Sequence, residues 1–268
     1  MRPTRLGAAA HAAVAAGGEG TVVAWFPRAC YVSLPAGLIA VVAEGVPNGP
    51  IHVVLDSEPV HTPRGAPARV VDGDLEIDGQ IIVLADAEPW RGTLPSAAEV
   101  ASNAEDIAVA TQAARGSALL VEPYRARADR ARELLVAGAL VDAARVLVGV
   151  GPGLTPSGDD ALAGIVFALR ARAGPIVESA TARAAEAGET GAISREFLRW
   201  AARGQALESA HDLLVRATNG DARGASLAAR RMNDVGETSG ADFLLGLRWG
   251  IEAAPQLLRS PAAAHNRR

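Results

Sequence analysis

The chain has 268 residues, 49% of them hydrophobic, and a net charge of −4 at neutral pH. This composition supplies enough apolar material for a buried core without a disulfide scaffold. The basic residues are spread along the chain, so we expect no nucleic acid among its partners. No apolar run approaches the ~20 residues that a bilayer-spanning helix needs, and we expect a cytoplasmic protein with no membrane partner.

All 26 basic residues are arginine, and the lack of lysine excludes two classes of chemistry. A Schiff-base or pyridoxal-phosphate enzyme needs a lysine amine, and a Walker A phosphate loop ends in Gly-Lys-Ser/Thr. The single cysteine, Cys30, lies in an apolar run and is interpreted as a core residue. The five histidines are far apart and have no metal-ligand spacing.

Residues 21–86 have the pattern of β structure, with short runs rich in valine and isoleucine between Gly, Pro, Asn and Asp. Asp72-Gly73 and Asp78-Gly79 predict tight hairpin turns, because type I′ turns need positive φ at both central positions. The pattern favours a small, mostly antiparallel sheet or barrel. Its predicted strands are Thr21–Phe26, Cys30–Leu34, Leu38–Ala43, Ile51–Asp56, Ala68–Val71, Leu75–Ile77 and Gln80–Leu84.

From about Ser96 onward the apolar residues follow helical periodicity. Strands first and helices second indicate an α+β fold, with a β-rich N-terminal unit at 1–92 and a helical domain at 93–268. The predicted helices are Ala97–Ala114, Pro123–Ala137, Val141–Val148, Ser157–Ala173, Pro175–Ala187, Ser194–Arg203, Ala206–Ala217, Arg223–Met232 and Ser239–Ala253.

The helical half contains an internal echo of the form Ser-Gly-x-Asp-x-Leu-x-Gly, at 157–164 and again at 239–246. In each copy the serine is a candidate N-cap, and the aspartate three residues later can reach back as its capping-box partner. The echo therefore predicts two helices that start in the same way at one place in the fold, with Asp160 and Asp242 near one pocket.

The first copy follows a glycine-rich approach, Gly149-Val-Gly-Pro-Gly-Leu-Thr-Pro156, that a helix start does not require. Glycines let backbone N–H groups point at a ligand, and the positive end of a helix suits an anion. Two carboxylates in the first turn would repel that anion unless Mg²⁺ bridges them or an arginine lies nearby. The segment is therefore either a plain helix cap or a cation-assisted anion site.

For the anion site we predict catalytic roles for Asp159 and Asp160, which would also be the ligands of any Mg²⁺. Arg195, beside the cap-like Ser194, is the candidate anion clamp. The predicted substrate-binding residues are Gly151, Gly153, Thr155, Ser157, Gly158, Arg195, Ser239 and Asp242.

Three segments in this order, Gly149–Gly164, Thr190–Arg195 and Gly236–Gly246, resemble a bacterial family that includes the AllH subunit of oxamate carbamoyltransferase. Val22–Ser33 is also similar to the opening strands of that family. The resemblance implies a role with two other carbamoyltransferase subunits in allantoin breakdown. The reaction it implies converts oxalurate and phosphate to oxamate and carbamoyl phosphate. Glu237 departs from the family pattern, where histidine is expected.

Three hypotheses remain open at this stage. The chain is a carbamoyltransferase subunit that holds small anionic substrates at Thr155–Asp160, or a non-catalytic binding or assembly subunit in which that turn only caps a helix. The third is a Mg²⁺-dependent hydrolase that uses Asp159, Asp160 and Asp242.

Overall fold

The structure, a computed structural model, describes residues 2–112 and 115–259. Tertiary contacts divide the chain into two compact units, Met1–Gly92 and Thr93–Arg268. Among the described residues, the first unit contains all the strands and one helix, and the second is helical. The α+β class predicted from the order of strand and helix patterns is confirmed.

The first unit is a nine-stranded sheet with strand order β8-β7-β6-β2-β3-β4-β5-β1-β9. Most neighbours are antiparallel, but β4 pairs with β5, and β1 with β9, in parallel. The strands are β1 Pro3–Gly7, β2 Glu19–Phe26, β3 Ala29–Leu34, β4 Gly37–Val42, β5 His52–Leu55, β6 Pro67–Val71, β7 Asp74–Ile77, β8 Gln80–Ile82 and β9 Glu88–Trp90, and the one helix is α1 Ala8–Ala16.

All seven predicted strands are present, as β2 to β8. Asp72 and Asp78 have positive φ, as do the glycines that follow them, so both predicted hairpin turns are confirmed. Sequence patterning missed β1 and β9, because each is short and contains proline, which is depleted in strands. It also missed α1, whose alanine-rich sequence has little amphipathic signal although Ala10 and Ala13 are buried in this unit.

Cys30 lies on β3 and is 2% exposed, which agrees with its interpretation as a core residue. Burial raises the pKa of its thiol to about 11, so the reactive thiolate is disfavoured. Across 2–112 and 115–259, none of the helices is both long and apolar enough to span a membrane.

The second unit is built from ten helices in its described residues. They are α2 Ala97–Ser102, α3 Ala104–Thr111, α4 Arg125–Val136, α5 Leu140–Leu147, α6 Ser157–Ala173, α7 Glu178–Ala185, α8 Ala192–Ala202, α9 Glu208–Thr218, α10 Ala222–Asn233 and α11 Ser239–Leu257. Short 3₁₀ turns at Ala118–Leu120 and Gly174–Val177 complete the unit.

The helices agree with the predicted segments to within a few residues, with two differences. The predicted helix Ala97–Ala114 is two helices, because the chain breaks at Asn103, which ends α2 and begins α3. Its last two residues, 113 and 114, lie outside the described residues. Helix α8 begins at Ala192, so Ser194 is its third residue and not its cap.

Helices α6 and α11 are the central pair of this unit, and they begin with the two copies of the Ser-Gly echo. Almost every residue from Ser157 to Leu169 is buried, and Phe167 is among the largest fully buried side chains. The last glycine of each echo lies where the two helices touch. A Cβ on Gly164 would lie 2.1 Å from the carbonyl oxygen of Phe243, and one on Gly246 would lie 1.8 Å from that of Ala161.

Candidate functional site

The N-terminal ends of α6 and α11 meet side by side, as the echo predicts. The hydroxyl oxygens of Thr155 and Ser239 are 3.0 Å apart, and those of Ser157 and Thr238 are 3.5 Å apart. Each contact joins a residue at the start of one helix to a residue at the start of the other. These four hydroxyl groups and the aspartates beside them form what we call the α6–α11 junction: Thr155, Ser157, Asp160, Thr238, Ser239 and Asp242.

The hydrogen bonds to the two carboxyl groups of the junction are reciprocal between the helices. Asp160 of α6 receives hydrogen bonding from Ser239 of α11, and Asp242 of α11 receives it from Ser157 of α6. Each aspartate is therefore faced by the serine that begins the opposite helix. The structure thus brings together five residues that the sequence singled out: Thr155, Ser157, Asp160, Ser239 and Asp242.

The carboxyl group of Asp160 lies at an electrostatically unfavourable position for a negative charge. Burial raises its pKa well above the usual value for aspartate, and the nearby carboxyl groups of Asp242 and Asp159 raise it further. Hydrogen bonding from Ser239 and Thr155 works in the opposite direction. Asp160 is partly exposed as a residue, but its Oδ2 is buried and has no hydrogen-bond partner of normal geometry.

Asp242 is fully buried, and burial raises its pKa as well. The hydroxyl of Ser117 donates to its Oδ1 at 2.5 Å, and hydrogen bonding from Ser157 and Thr238 also favours the ionised form. Its Oδ2, like that of Asp160, has no partner of normal geometry. The junction therefore contains two coupled carboxyl groups, each with one buried oxygen open to a donor.

The capping-box interpretation of both helix starts is wrong. The N-cap of α6 is Pro156 and that of α11 is Thr238, and neither helix has a side-chain cap hydrogen bond. Ser157 and Ser239 are each the first helical residue, one position too late to cap. Their hydroxyls point across to the other helix, because the two helix starts are close enough to satisfy one another.

The glycine-rich loop folds back onto the start of α6. The carbonyl oxygen of Val150 accepts a hydrogen bond from Gly158 N–H at 2.7 Å, so the loop backbone caps the helix. Gly151, with φ of +115°, lies so close that a Cβ would be 2.7 Å from the nitrogen of Ser157. Gly158 fits against the end of α5, where a Cβ would meet the Leu147 carbonyl oxygen at 1.9 Å. Gly153 also has positive φ, but it faces open space.

Asp159, predicted as catalytic, holds two loops to the first turn of α6. It is 2% exposed, its Oδ1 accepts from Gly149 N–H at 2.9 Å, and its Oδ2 accepts from the hydroxyl of Thr190. Both oxygens are therefore engaged within the protein. This geometry favours a structural role for Asp159 and leaves Asp160 as the first-turn carboxyl group with an open oxygen.

Arg195, predicted as an anion clamp, is engaged with backbone carbonyl groups. Its two terminal nitrogens donate to the carbonyl oxygens of Ala185, at 2.8 Å, and Gly188. The guanidinium group thus ties α8 to the segment that ends α7 and leads to Thr190. Through Thr190 and Asp159, this arginine supports the position of the glycine loop.

The predicted Mg²⁺ ligands point in different directions, since Asp159 faces Gly149 and Thr190 while Asp160 faces α11. Within residues 2–112 and 115–259, no group of three His, Cys, Asp or Glu side chains is arranged to hold a metal ion. The donor set therefore does not fit a protein-held cation.

Two contributors to the junction were not singled out from the sequence. Thr238 lies one residue before the second echo, where a threonine is ordinarily a helix cap. Ser117 lies in a stretch without periodicity between α3 and α4, and it reaches Asp242 across 125 positions of sequence. No local sequence pattern predicts such a contact.

Residues 147–251 match the model of a protein family described as oxamate carbamoyltransferase subunit AllH. The matched segment begins at the last residue of α5 and ends within α11, so it contains the glycine loop and both helix starts. It does not extend to Val22–Ser33. No curated protein and no solved structure matches the chain.

Proposed function

We propose that this chain, whose residues 147–251 match the model of the AllH family, is a subunit of an oxamate carbamoyltransferase-like enzyme. The reaction would exchange a carbamoyl group between oxalurate and phosphate, giving oxamate and carbamoyl phosphate, in the nitrogen catabolism of allantoin. Two other subunits would complete the enzyme. The observation that carries the proposal is that the family match coincides with the α6–α11 junction and the loop that approaches it.

The composition of the junction suits a small polar substrate. Hydroxyl groups of Thr155 and Ser239 lie at the partly exposed side of the junction and can both donate and accept hydrogen bonds. Asp160 is hydrogen-bonded by both hydroxyl groups and lies near the buried Asp242, and its pKa is raised above the usual value. A carboxyl group with a raised pKa holds its proton more readily and so repels an anionic substrate less, which weakens the main objection to an anion beside two aspartates.

We assign substrate contact to Thr155, Asp160 and Ser239. Asp242 lies on the buried side of the same site. Ser157 and Gly158 provide the close packing beneath it. Gly151 and Gly153 shape the loop, while Asp159 and Arg195 hold it in position. Turnover would depend on partner subunits, because the family description names a subunit of an enzyme.

The experiment is reconstitution. The purified chain, its partner subunits and the full mixture would be assayed for oxamate-dependent release of phosphate from carbamoyl phosphate. We expect turnover from the mixture and little or none from this chain alone. Transfer that proceeds equally well without this chain would overturn the proposal, and full activity of the chain alone would contradict its dependence on partners.

A substitution separates a substrate-contacting subunit from one that only assembles the complex. Ser239→Ala removes one junction hydroxyl and keeps the helix start. For a substrate-contacting subunit we expect the mixture to assemble normally while its rate falls by at least about tenfold, as for loss of a hydrogen bond to a charged group. Normal assembly with an unchanged rate would favour the non-catalytic assembly subunit.

A further inference from the structure

The two open carboxyl oxygens of the junction are its most unusual feature. Asp160 Oδ2 and Asp242 Oδ2 are both buried, and neither has a hydrogen-bond partner of normal geometry. Asp242 as a whole is 0% exposed, so bulk water does not supply the missing donor. Buried polar atoms in native proteins are nearly always paired, and an exception calls for an explanation such as an unseen ligand.

The donors that the protein offers to these two carboxyl groups leave both Oδ2 atoms without a partner of normal geometry. Ser239 and Thr155 hydrogen-bond the carboxyl group of Asp160. Ser157, Thr238 and the backbone N–H of Leu119 hydrogen-bond that of Asp242, and Ser117 donates to Asp242 Oδ1. A carboxylate or phosphate ligand supplies only acceptors, so it can pair with a protonated carboxyl group but cannot donate to an open carboxyl oxygen. The ligand group that can do so carries N–H donors.

We propose that the α6–α11 junction recognises the –NH₂ end of a primary carboxamide or carbamoyl group, with Asp160 Oδ2 as the first acceptor and Asp242 Oδ2 as the second. The inference rests on the proposed function, because it takes a carbamoyl compound as the substrate, and it adds which end of that compound the aspartates bind. An –NH₂ group has two donors, which matches the two open oxygens.

This arrangement orients the substrate. The amide end points inward to the aspartates, and the anionic end points outward to the partly exposed side, where the Thr155 and Ser239 hydroxyls can donate to it. Asp160 also fits the neighbouring carbonyl oxygen of the amide, since a protonated carboxyl group both donates and accepts, and burial raises the pKa of this carboxyl. Both open oxygens are closed to solvent, so entry of the ligand requires a local movement of the residues around them.

The test compares oxamate with oxalate, which has the same shape and an oxygen where oxamate has its –NH₂. Binding of each to the purified full-length chain would be measured by calorimetry, with inorganic phosphate as a third ligand. We expect oxamate to bind at least about tenfold more tightly than oxalate, because a site built to accept from N–H groups rejects an analogue that lacks them. Equal binding of the two, or no binding of oxamate, would overturn the proposal without any variant.

Asp160→Asn then tests the residue. Its amide can present –NH₂ to the ligand's –NH₂, so we expect the preference for oxamate over oxalate to fall by at least about tenfold while phosphate binding stays within about twofold. The matched control is Asp234→Asn, which removes one charge at an exposed position before α11 and should leave the preference unchanged. An unaltered preference in Asp160→Asn would overturn the role of Asp160.

These outcomes separate the inference from the proposed function. Carbamoyl transfer by the reconstituted enzyme without discrimination between oxamate and oxalate by this chain would overturn the inference alone. Discrimination between oxamate and oxalate without carbamoyl transfer would overturn the proposed function but not the inference that the junction binds an amide group.

Discussion

Gly164 and Gly246 occupy equivalent positions in α6 and α11, and each lies against the backbone of the other helix. A Cβ on Gly164 would meet the carbonyl oxygen of Phe243, and one on Gly246 would meet that of Ala161, three residues before the partner glycine in both cases. The crossing is therefore reciprocal, like the hydroxyl contacts at the helix starts. Close packing at the glycines is what holds the two helix starts near enough for their side chains to meet.

Gly246→Ala should destabilise the second unit strongly. The added methyl group would lie 1.8 Å from the Ala161 carbonyl oxygen, an overlap that only a shift of one helix relieves. Overpacking of this kind costs ~1–3 kcal/mol and occasionally more, and the upper end is expected because backbone must move. Chemical denaturation followed by circular dichroism measures the change.

Gly220→Ala is the matched control for that substitution. Alanine at position 220 would also have a strained backbone, since the φ of Gly220 is +75°. However, nothing lies within 4 Å of the added Cβ. We expect only the ~1–2 kcal/mol penalty of left-handed backbone. Equal losses from the two substitutions would show that the helix crossing is not tightly packed.

Asp159→Asn should lower stability more than Asp160→Asn. An asparagine at 159 must turn an –NH₂ group toward either Gly149 N–H or the Thr190 hydroxyl, leaving a buried donor unpaired at a cost of ~1–3 kcal/mol. Asparagine at 160 replaces a carboxyl group whose charged form is penalised by burial, so its effect is expected within ~0.5 kcal/mol. Urea denaturation of the two variants at pH 7 compares them, and the reverse ranking would restore the capping interpretation of Asp160.

The same carboxyl group should give a pH dependence. Because the pKa of Asp160 is raised in the folded protein, the folded state holds this proton more tightly than the unfolded state above the usual aspartate pKa. Its contribution to the free energy of unfolding therefore decreases as pH rises from about 4 toward the raised pKa. In Asp160→Asn this loss is absent, so the variant should gain stability relative to the wild type as pH increases. A difference in stability that stays constant as the pH rises above about 4, the usual aspartate pKa, would contradict the raised pKa.

The titration of His52, in the first unit, should change the stability with pH in the opposite direction. Its ring is 4% exposed, its Nδ1 lies 2.9 Å from the Pro47 carbonyl oxygen, and burial lowers its pKa from 6.5 to about 4. The unfolded chain takes up the proton first as pH falls, so stability is lost between pH 6.5 and about 4. The loss approaches ~3 kcal/mol, at ~1.4 kcal/mol for each unit of pKa shift.

His52→Gln keeps a donor for Pro47 and removes the titration. We expect the free energy of unfolding of the wild type to fall more steeply than that of the variant over this pH range, as measured by denaturant titrations at several pH values. His211, whose pKa is also lowered by burial, contributes with the same sign in both proteins, so it cancels in the comparison. Parallel curves would contradict a buried neutral histidine at this position.

The fold class followed from local patterns. Period-2 runs between turn residues predicted β2 to β8, and the Asp-Gly pairs predicted their turns, because such turns depend on the residues that form them. The patterns failed at α1, β1 and β9, whose structure depends on neighbours distant in sequence. β1, for example, pairs with β5 and β9, so its strand conformation is decided by partners about 50 and 80 residues away.

The sequence by itself predicted that the starts of α6 and α11 meet, because the repeated Ser-Gly-x-Asp-x-Leu-x-Gly pattern indicates two equivalent helix starts, but it did not single out Thr238 or Ser117. Only the tertiary structure decided what their side chains do. Ser157 and Ser239 face each other's helix instead of capping their own, Asp159 is engaged by two loops, and Asp160 and Asp242 keep an open oxygen. A hydroxyl or carboxylate bonds whatever donor or acceptor lies within about 3 Å, and across a helix crossing that neighbour is set by packing at Gly164 and Gly246, not by residues nearby in sequence.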